Sequence, residues 1–429
     1  MIKNKKNSFI SGAKIYLFST ILVGVIPFLL LPVLTRYLSP AQYGEVAMFQ
    51  TLVGALGAFV GVIFVGAASR KYYDANLNQK EIASFIGSCL QLVSIFSVVV
   101  FLVVFAFQYQ LSEWLNLRTE YILVAVLVAS CSVVINLRLG QWQVQKQAIK
   151  YGALQIIQSL LNMFLSLLFV VVMLKGAEGR IDAQVVVSVV FAIVAFYLLS
   201  KDSLLKILTW RKDYLYEALK FGVPLIPHIA GGFLLMSVDR FVINQEIGIV
   251  EAGVYMVAIQ LTAAIGMVFD AINKAYVPWL FEKLKVGNIK EKRRIVKLTY
   301  AWFLIIILGV ILSFFIGPFL VVFIAGEEYA KAGQIIGWLT LGQGFEGMYR
   351  MVTNYIFYSK KTGLLSLVTI FSGVLNLILL IFLVRTFGLK GAAIAFSISM
   401  GARFLLTWWI AQRRHPMPWF DFKSLYKMR

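Results

Sequence analysis

Twelve stretches of this chain are apolar over a length that crosses a lipid bilayer, and that feature excludes almost every water-soluble fold. A hydrocarbon core of about 30 Å takes roughly 20 residues of helix. Runs of that kind lie at 11–34, 45–68, 83–107, 120–137, 152–174 and 183–200, and a second set lies at 221–247, 252–281, 298–325, 333–358, 363–384 and 391–411. Lipid offers backbone groups no partner, so each run is expected to be a helix that satisfies its own hydrogen bonds. With 60% of the 429 residues hydrophobic and 14% charged, too little polar surface remains for a soluble protein. The connections are short and leave no room for a soluble catalytic domain. The expectation is an all-α integral membrane protein with twelve transmembrane helices.

Basic residues set the expected orientation. Of the 40 lysines and arginines, seven fall on one side of the membrane: Arg36, Arg118, Lys175, Arg180, Lys331, Arg385 and Lys390. Four more, Arg240, Lys274, Arg350 and Arg403, fall inside spans. The rest occupy the N-terminal segment, alternate loops and the C-terminal tail, which the positive-inside rule assigns to the cytoplasm. Both termini are therefore expected to be cytoplasmic. The first run, after Lys3, Lys5 and Lys6, is too long for a secretory signal and lacks a small-residue cleavage site, so it is expected to be a retained span. The formal net charge of +20 is then explained by topology and by attraction to anionic lipid rather than by nucleic acid.

The loop KDSLLKILTWRKDYLYEALK, residues 201–220, sets Leu204, Leu205, Leu208 and Trp210 among bases and is expected to lie on the membrane surface as an amphipathic helix. It divides an N-terminal six-helix lobe, 1–200, from a C-terminal six-helix lobe, 221–412, which a basic tail, 413–429, follows. The lobes read as copies. LSPAQYGEVAMFQ resembles IGIVEAGVYMVAIQ, pairing Gly44 with Gly253, and YGALQIIQSLLNMFLSLLF matches TGLLSLVTIFSGVLNLILLIF, pairing Asn162 with Asn376. Six spans per copy is an even number, which relates the copies by an axis along the membrane normal and is expected to put a substrate path between them.

Charge inside spans costs about 2.5–3.5 kcal/mol per group and marks either a transport path or a salt bridge that holds helices together. Asp239 and Arg240 are adjacent in an apolar run that Pro224, Pro227, Gly231 and Gly232 are expected to bend. Asp270 precedes Lys274 by one helical turn and Glu346 precedes Arg350 likewise, so each acid shares a face with its base. With Arg36 ending the first span and Arg403 in the last, the candidate substrate-binding cations are Arg36, Arg240, Lys274, Arg350 and Arg403. Asp239, Asp270 and Glu346 are their charge partners or, as carboxyls held in low dielectric, candidate ion-coupling groups.

Cys89 and Cys131 sit in apolar runs, and two histidines, His228 and His415, are too few for a histidine metal centre, so no metal is expected. No P-loop pattern occurs, which argues against ATP as the direct energy source. No cofactor is expected, and coupling to protons, to sodium or to neither stays open. Trp114, Trp210, Trp279, Trp408, Trp409 and Trp419 lie near span ends, as in an interfacial belt. In the tenth span, Trp338, Tyr349, Tyr355 and Tyr358 are candidates either for stacking on sugar rings or for helix packing.

Three elements carry a resemblance to a known family: SVDRFVI before IGIVEAGVYMVA, IGPFLVVFIAGEEYAKAG from Ile316 to Gly333, and FYSKKTGLLSLVTIFSGVLNLILLIFLVRTFGLKGAAIAFSIS from Phe357 to Ser399. In their order and spacing the chain resembles, over its whole length, the polysaccharide transporter family of the multidrug/oligosaccharidyl-lipid/polysaccharide flippase superfamily, in particular the O-antigen flippases. The resemblance implies a flippase rather than an enzyme. It also implies a multi-pass protein of the bacterial inner membrane with two lobes and alternating access. The implied substrate is an undecaprenyl-diphosphate-linked glycan, and the implied partners are membrane lipids, a polysaccharide polymerase and a chain-length regulator. A multidrug and toxin extrusion carrier shares the expected architecture, but the surplus of intramembrane bases would repel cationic drugs. A membrane-embedded glycan polymerase or ligase would need a larger external loop than any here.

Overall fold

The computed structural model describes residues 2–74, 78–361 and 363–421, with the side chains of 2–14 and 62 excepted. Lys3, Lys5, Lys6 and the tail beyond Asp421 therefore lie outside the described side chains. Among the described residues every regular element is helical. In chain order the helices are α1 (Ile2–Tyr37), α2 (Pro40–Val60), α3 (Val62–Lys71), α4 (Gln79–Ala106), α5 (Gln108–Leu115), α6 (Thr119–Val144), α7 (Ala148–Leu167) and α8 (Gly176–Lys201). There follow α9 (Lys212–Gly222), α10 (Ile226–Met236), α11 (Val238–Glu246), α12 (Ile249–Val286), α13 (Ile289–Ala325), α14 (Ala330–Tyr358) and α15 (Gly363–Arg414).

Ten of these stretches are long and apolar enough to cross a membrane by length and composition. The expectation of twelve also counts α14, which carries Glu346 and Arg350, and takes α15 as two helices. Gly388, with φ of 58° and ψ of −138°, breaks α15 internally. Phe315, Phe319 and Phe323 of α13 and Val98, Leu102 and Phe105 of α4 are exposed, as suits helices that face lipid. The protein is a multi-pass membrane protein.

Local sequence explains where the helices begin. Ser39 and Gln42 form a reciprocal capping box around Pro40 at the start of α2, and Asn78 with Glu81 does the same for α4. Pro224 lies in a single 3-10 turn, Val223–Leu225, between α9 and α10. The expected 221–247 span is interrupted again at Ser237, so Asp239 and Arg240 open the separate helix α11 rather than sitting inside one continuous helix.

The chain divides into two compact units. The first holds Met1–Phe233 with Gly248–Gly253, and the second holds Leu234–Ile247 with Val254–Arg429. In the first, α6 packs on α2, α3, α4 and α8, and α1 packs on α7. Gly44 and Gly253, the pair matched by the internal repeat, meet here: a Cβ on Gly253 would lie 2.7 Å from the Gly44 nitrogen, and one on Gly44 would collide with the Ile249 carbonyl.

The 202–211 segment is not a helix; it runs across α4, where Gln91 Nε2 donates to the Ile207 carbonyl at 2.6 Å. Of the apolar residues expected to meet lipid, Leu204 is turned onto protein and Leu205 is half-buried. Leu204, Tyr214 and Leu215 are buried, leaving Leu208 and Trp210 exposed. Lys71 at the end of α3 fastens α9 through both oxygens of Glu217 at 2.8 Å.

In the second unit α14 packs between α13 and α15, and α11 rests on α15. The tail turns back into this unit. Tyr300 donates to the Trp419 carbonyl at 2.8 Å, Arg293 grips Asp421 through Nε and Nη2, and Trp419 is buried in an aromatic cluster with Phe303, Tyr355 and Trp408. Trp419 is thus a core residue rather than part of a belt.

Candidate functional site

Asp270 and Lys274 of α12, Glu346 and Arg350 of α14 and Arg403 of α15 lie on one connected seam within the second unit. On α12, Asp270, Asn273 and Lys274 share a face by their spacing, as do Glu346, Arg350 and Asn354 on α14. Asn354 Nδ2 donates to Asn273 Oδ1 at 2.8 Å, fixing the register of the two helices. Small residues permit the approach. A Cβ on Gly347 would lie 2.5 Å from the ring of Phe269, and one on Gly266 would lie 2.9 Å from Gln343 Oε1.

Five ionic side chains form a ladder along this seam. Lys274 Nζ lies 2.6 Å from Asp270 Oδ2, and Arg350 Nη1 donates to Asp270 Oδ1 at 2.7 Å. Arg350 Nη2 lies 3.3 Å from Glu346 Oε1, and Arg403 Nη1 of α15 donates to Glu346 Oε2 at 2.8 Å. The guanidinium of Arg403 also sits 4.0 Å from the ring centroid of Tyr349. Three cations against two carboxylates leave the ladder one positive charge in excess.

The ladder is graded from open to closed. Side-chain exposure falls from 48% at Lys274 through 32% at Asp270 and 30% at Arg350 to 12% at Arg403 and 8% at Glu346. The Nε atoms of Arg350 and Arg403 are sealed in the interior without a partner. Such an arrangement can exchange one anionic partner for another at its open end while the buried end holds the helices. Planar guanidinium forks accept carboxylate and phosphate alike in paired hydrogen bonds.

The other site residues inferred from sequence lie apart from the ladder. Asp239 is buried at the start of α11, where it accepts from the Tyr255 hydroxyl at 2.7 Å and from the Arg240 backbone N–H at 3.0 Å. Arg240 donates through Nη1 to Asp239 at 3.2 Å and to the Met236 carbonyl freed by the Ser237 break at 2.6 Å. This pair repairs a helix end, and an acid there also favours the helix dipole. Arg36 is exposed at the end of α1, in the first unit. Tyr355 stacks on His415 and is buried, and Trp338 packs edge-on against Phe314. Of the four aromatics of the tenth span, Tyr349 is the one beneath a ladder cation.

Arg138 lies just beyond the expected 120–137 span, among loop residues, whereas α6 runs on past it. Arg138 is wholly buried in α6, pairs with Asp202 at the end of α8 and lies 4.2 Å from the Trp142 ring. Asp202 forms part of the wall of a polar cavity of about 470 Å³ in the first unit, with Tyr72, Gln79, Gln145, Gln147 and Lys150. Among the described residues, no group of three or more His, Cys, Asp or Glu side chains is placed to hold a metal ion.

The chain is similar to several known proteins. A family model described as polysaccharide biosynthesis protein matches residues 9–284. An uncharacterized membrane protein of Haemophilus influenzae is 27% identical over 378 residues, covering 86% of this chain and 89% of its own. A Shigella flexneri protein named as a candidate O-antigen transporter is 26% identical over 185 residues, covering 42% and 43%. Among solved structures, an inward-facing multidrug resistance MATE family transporter of the MOP superfamily superposes with a TM-score of 0.73 at 17% identity, covering 94% of this chain and 96% of that one. The lipid II flippase MurJ in an inward closed conformation gives 0.72 at 15% identity, covering 94% and 87%. At these identities the structural matches speak to the fold.

Proposed function

The chain belongs to the polysaccharide biosynthesis protein family, and from that premise we propose that it is a flippase for an undecaprenyl-diphosphate-linked oligosaccharide. It carries the repeat unit of a surface polysaccharide such as O-antigen from the cytoplasmic to the outer leaflet of the bacterial inner membrane. The observation that carries this reading is the ladder of Lys274, Asp270, Arg350, Glu346 and Arg403. A cationic surplus inside a membrane protein is costly and suits an anionic headgroup. In this reading the diphosphate takes Arg350 and Lys274 from Asp270, and the conformation changes by alternating access. No covalent step is involved. Asp270, relieved of its cations as substrate binds, and Glu346, left with Arg403 alone, are the groups through which proton or sodium coupling would act. Asp239, held by Tyr255 and Arg240, is the third candidate. Arg36 and Arg240 serve as accessory cations. A polymerase and a chain-length regulator would receive the product.

Export in a strain lacking its own repeat-unit flippase tests the reading. The intact chain should restore surface polysaccharide, and Arg350→Ala, equally abundant in the membrane, should not. A multidrug carrier is the second reading, favoured by the MATE-like fold, and it predicts the opposite pattern: no restored polysaccharide, with resistance to cationic drugs instead.

A further inference from the structure

Arg180, which sequence reading assigned to an external segment, is differently placed from the other arginines of the helical interior. Arg138 pairs with Asp202, Arg240 with Asp239, Arg350 with Asp270 and Glu346, and Arg403 with Glu346. Each of those four has its Nε sealed from solvent and without a partner. Arg180 lies near the start of α8 and pairs with no carboxylate among the described residues. Its Nη1 donates to Asn162 Oδ1 at 3.0 Å and to Ser166 Oγ at 3.2 Å, both on α7. Ser166 spends its own proton on the Asn162 carbonyl at 2.6 Å, so its oxygen is left to accept. The phenol of Tyr43 on α2 lies close enough to Arg180 to interact with its charge.

Two neutral acceptors thus saturate Nη1 and orient the guanidinium. The opposite edge, Nε with Nη2, keeps three N–H donors and is neither paired nor sealed. That edge matches two oxygens of a phosphate. A permanently charged group whose hydrogen-bond partners in the protein are neutral gains from an arriving anion.

We propose that Arg180, positioned by Asn162 and Ser166, is a phosphate-binding site of the first unit, and that its ligand is the diphosphate of the polyprenyl-linked substrate. The choice of ligand rests on the flippase reading; the anion site rests on the geometry of Arg180. Asn162 then does work that its repeat mate does not, because Asn376 Nδ2 donates to the Leu234 carbonyl instead.

Binding, measured separately from transport, tests this. The full chain is placed in nanodiscs of phosphatidylcholine and titrated with undecaprenyl diphosphate, undecaprenol and phosphatidylglycerol. The intact protein should prefer the diphosphate lipid to undecaprenol by about tenfold or more, and inorganic diphosphate should compete for the site. Arg180→Gln should lower the preference severalfold, the Arg350 ladder supplying what remains, and Arg180→Lys should keep more of it. Unchanged preference in Arg180→Gln, or no competition by inorganic diphosphate in the intact protein, would overturn the site. Equal binding of phosphatidylglycerol would overturn the assignment of the ligand. A protein that shows the Arg180-dependent preference yet moves no glycolipid would leave the site standing and remove the flippase reading. One that flips normally as Arg180→Gln would do the reverse.

Discussion

Arg350 and Asp270 are 80 positions apart in sequence and 2.7 Å apart in the fold, on α14 and α12. Their contact joins two pairs that helical spacing alone would leave separate, Asp270 with Lys274 and Glu346 with Arg350. Arg403 extends the set from a third helix. The result is a single electrostatic unit, in which removing a member changes the pairing of the rest.

The two carboxylates of this unit should differ in what they hold. Glu346→Ala leaves Arg403 and Arg350 short of an anion at the closed end, and losing one partner of a buried pair costs about 3–5 kcal/mol. Asp270 is a third exposed and its cations are partly solvated, so Asp270→Ala should cost about 1 kcal/mol or less. Thermal denaturation of the purified variants in detergent should rank Glu346→Ala well below Asp270→Ala, and the reverse order would contradict the graded ladder.

Glycine at 253 should be required for packing. An alanine Cβ there would press on the Gly44 nitrogen and the Pro40 carbonyl, both backbone atoms that cannot turn aside. Overpacking of this kind costs about 1–3 kcal/mol. Gly54 meets nothing within 4 Å, and Gly54→Ala is the control, with a gain of about 0.5–1 kcal/mol expected for a helical position. Size-exclusion profiles of the two variants should separate them.

The docked tail should loosen in acid. Burial, then the charge of Lys292, lowers the pKa of His415 from its ordinary value of 6.5. Its ring stacks on Tyr355 and meets Tyr358 edge-on, and its Nε2 is sealed without a partner. A histidine whose folded pKa is depressed contributes stability that is present above its unfolded pKa, near 6.5, and is lost as pH falls through the folded value. Melting temperature should therefore drop below about pH 6.5, and His415→Gln should flatten that part of the profile. An unchanged slope in the variant would assign it elsewhere.

Much of this was legible from apolar length and charge alone. The membrane class and the pairs Asp270–Lys274 and Glu346–Arg350 follow from periodicity, because partners one turn apart on a helix are fixed by local geometry. The cross-helix links were not legible, since which face of α15 carries Arg403 toward Glu346 depends on packing around glycines such as Gly347. The Ser237 break escaped notice for a related reason: Arg240 caps the Met236 carbonyl, a repair visible only once the chain is bent. Arg138 and Arg180 fall outside the expected spans because span ends drawn from hydropathy stop at the first charge, whereas the helices continue past it.

The central claim is that the ladder's cations carry an anionic glycolipid headgroup. It is tested most directly in proteoliposomes containing a fluorescent undecaprenyl-diphosphate oligosaccharide, by measuring the fraction that reaches the opposite leaflet and becomes accessible to an impermeant quencher. The account predicts transfer by the intact protein, loss of transfer with Arg350→Ala at equal reconstitution, and partial recovery with Arg350→Lys. Transfer at the intact rate by Arg350→Ala would contradict it.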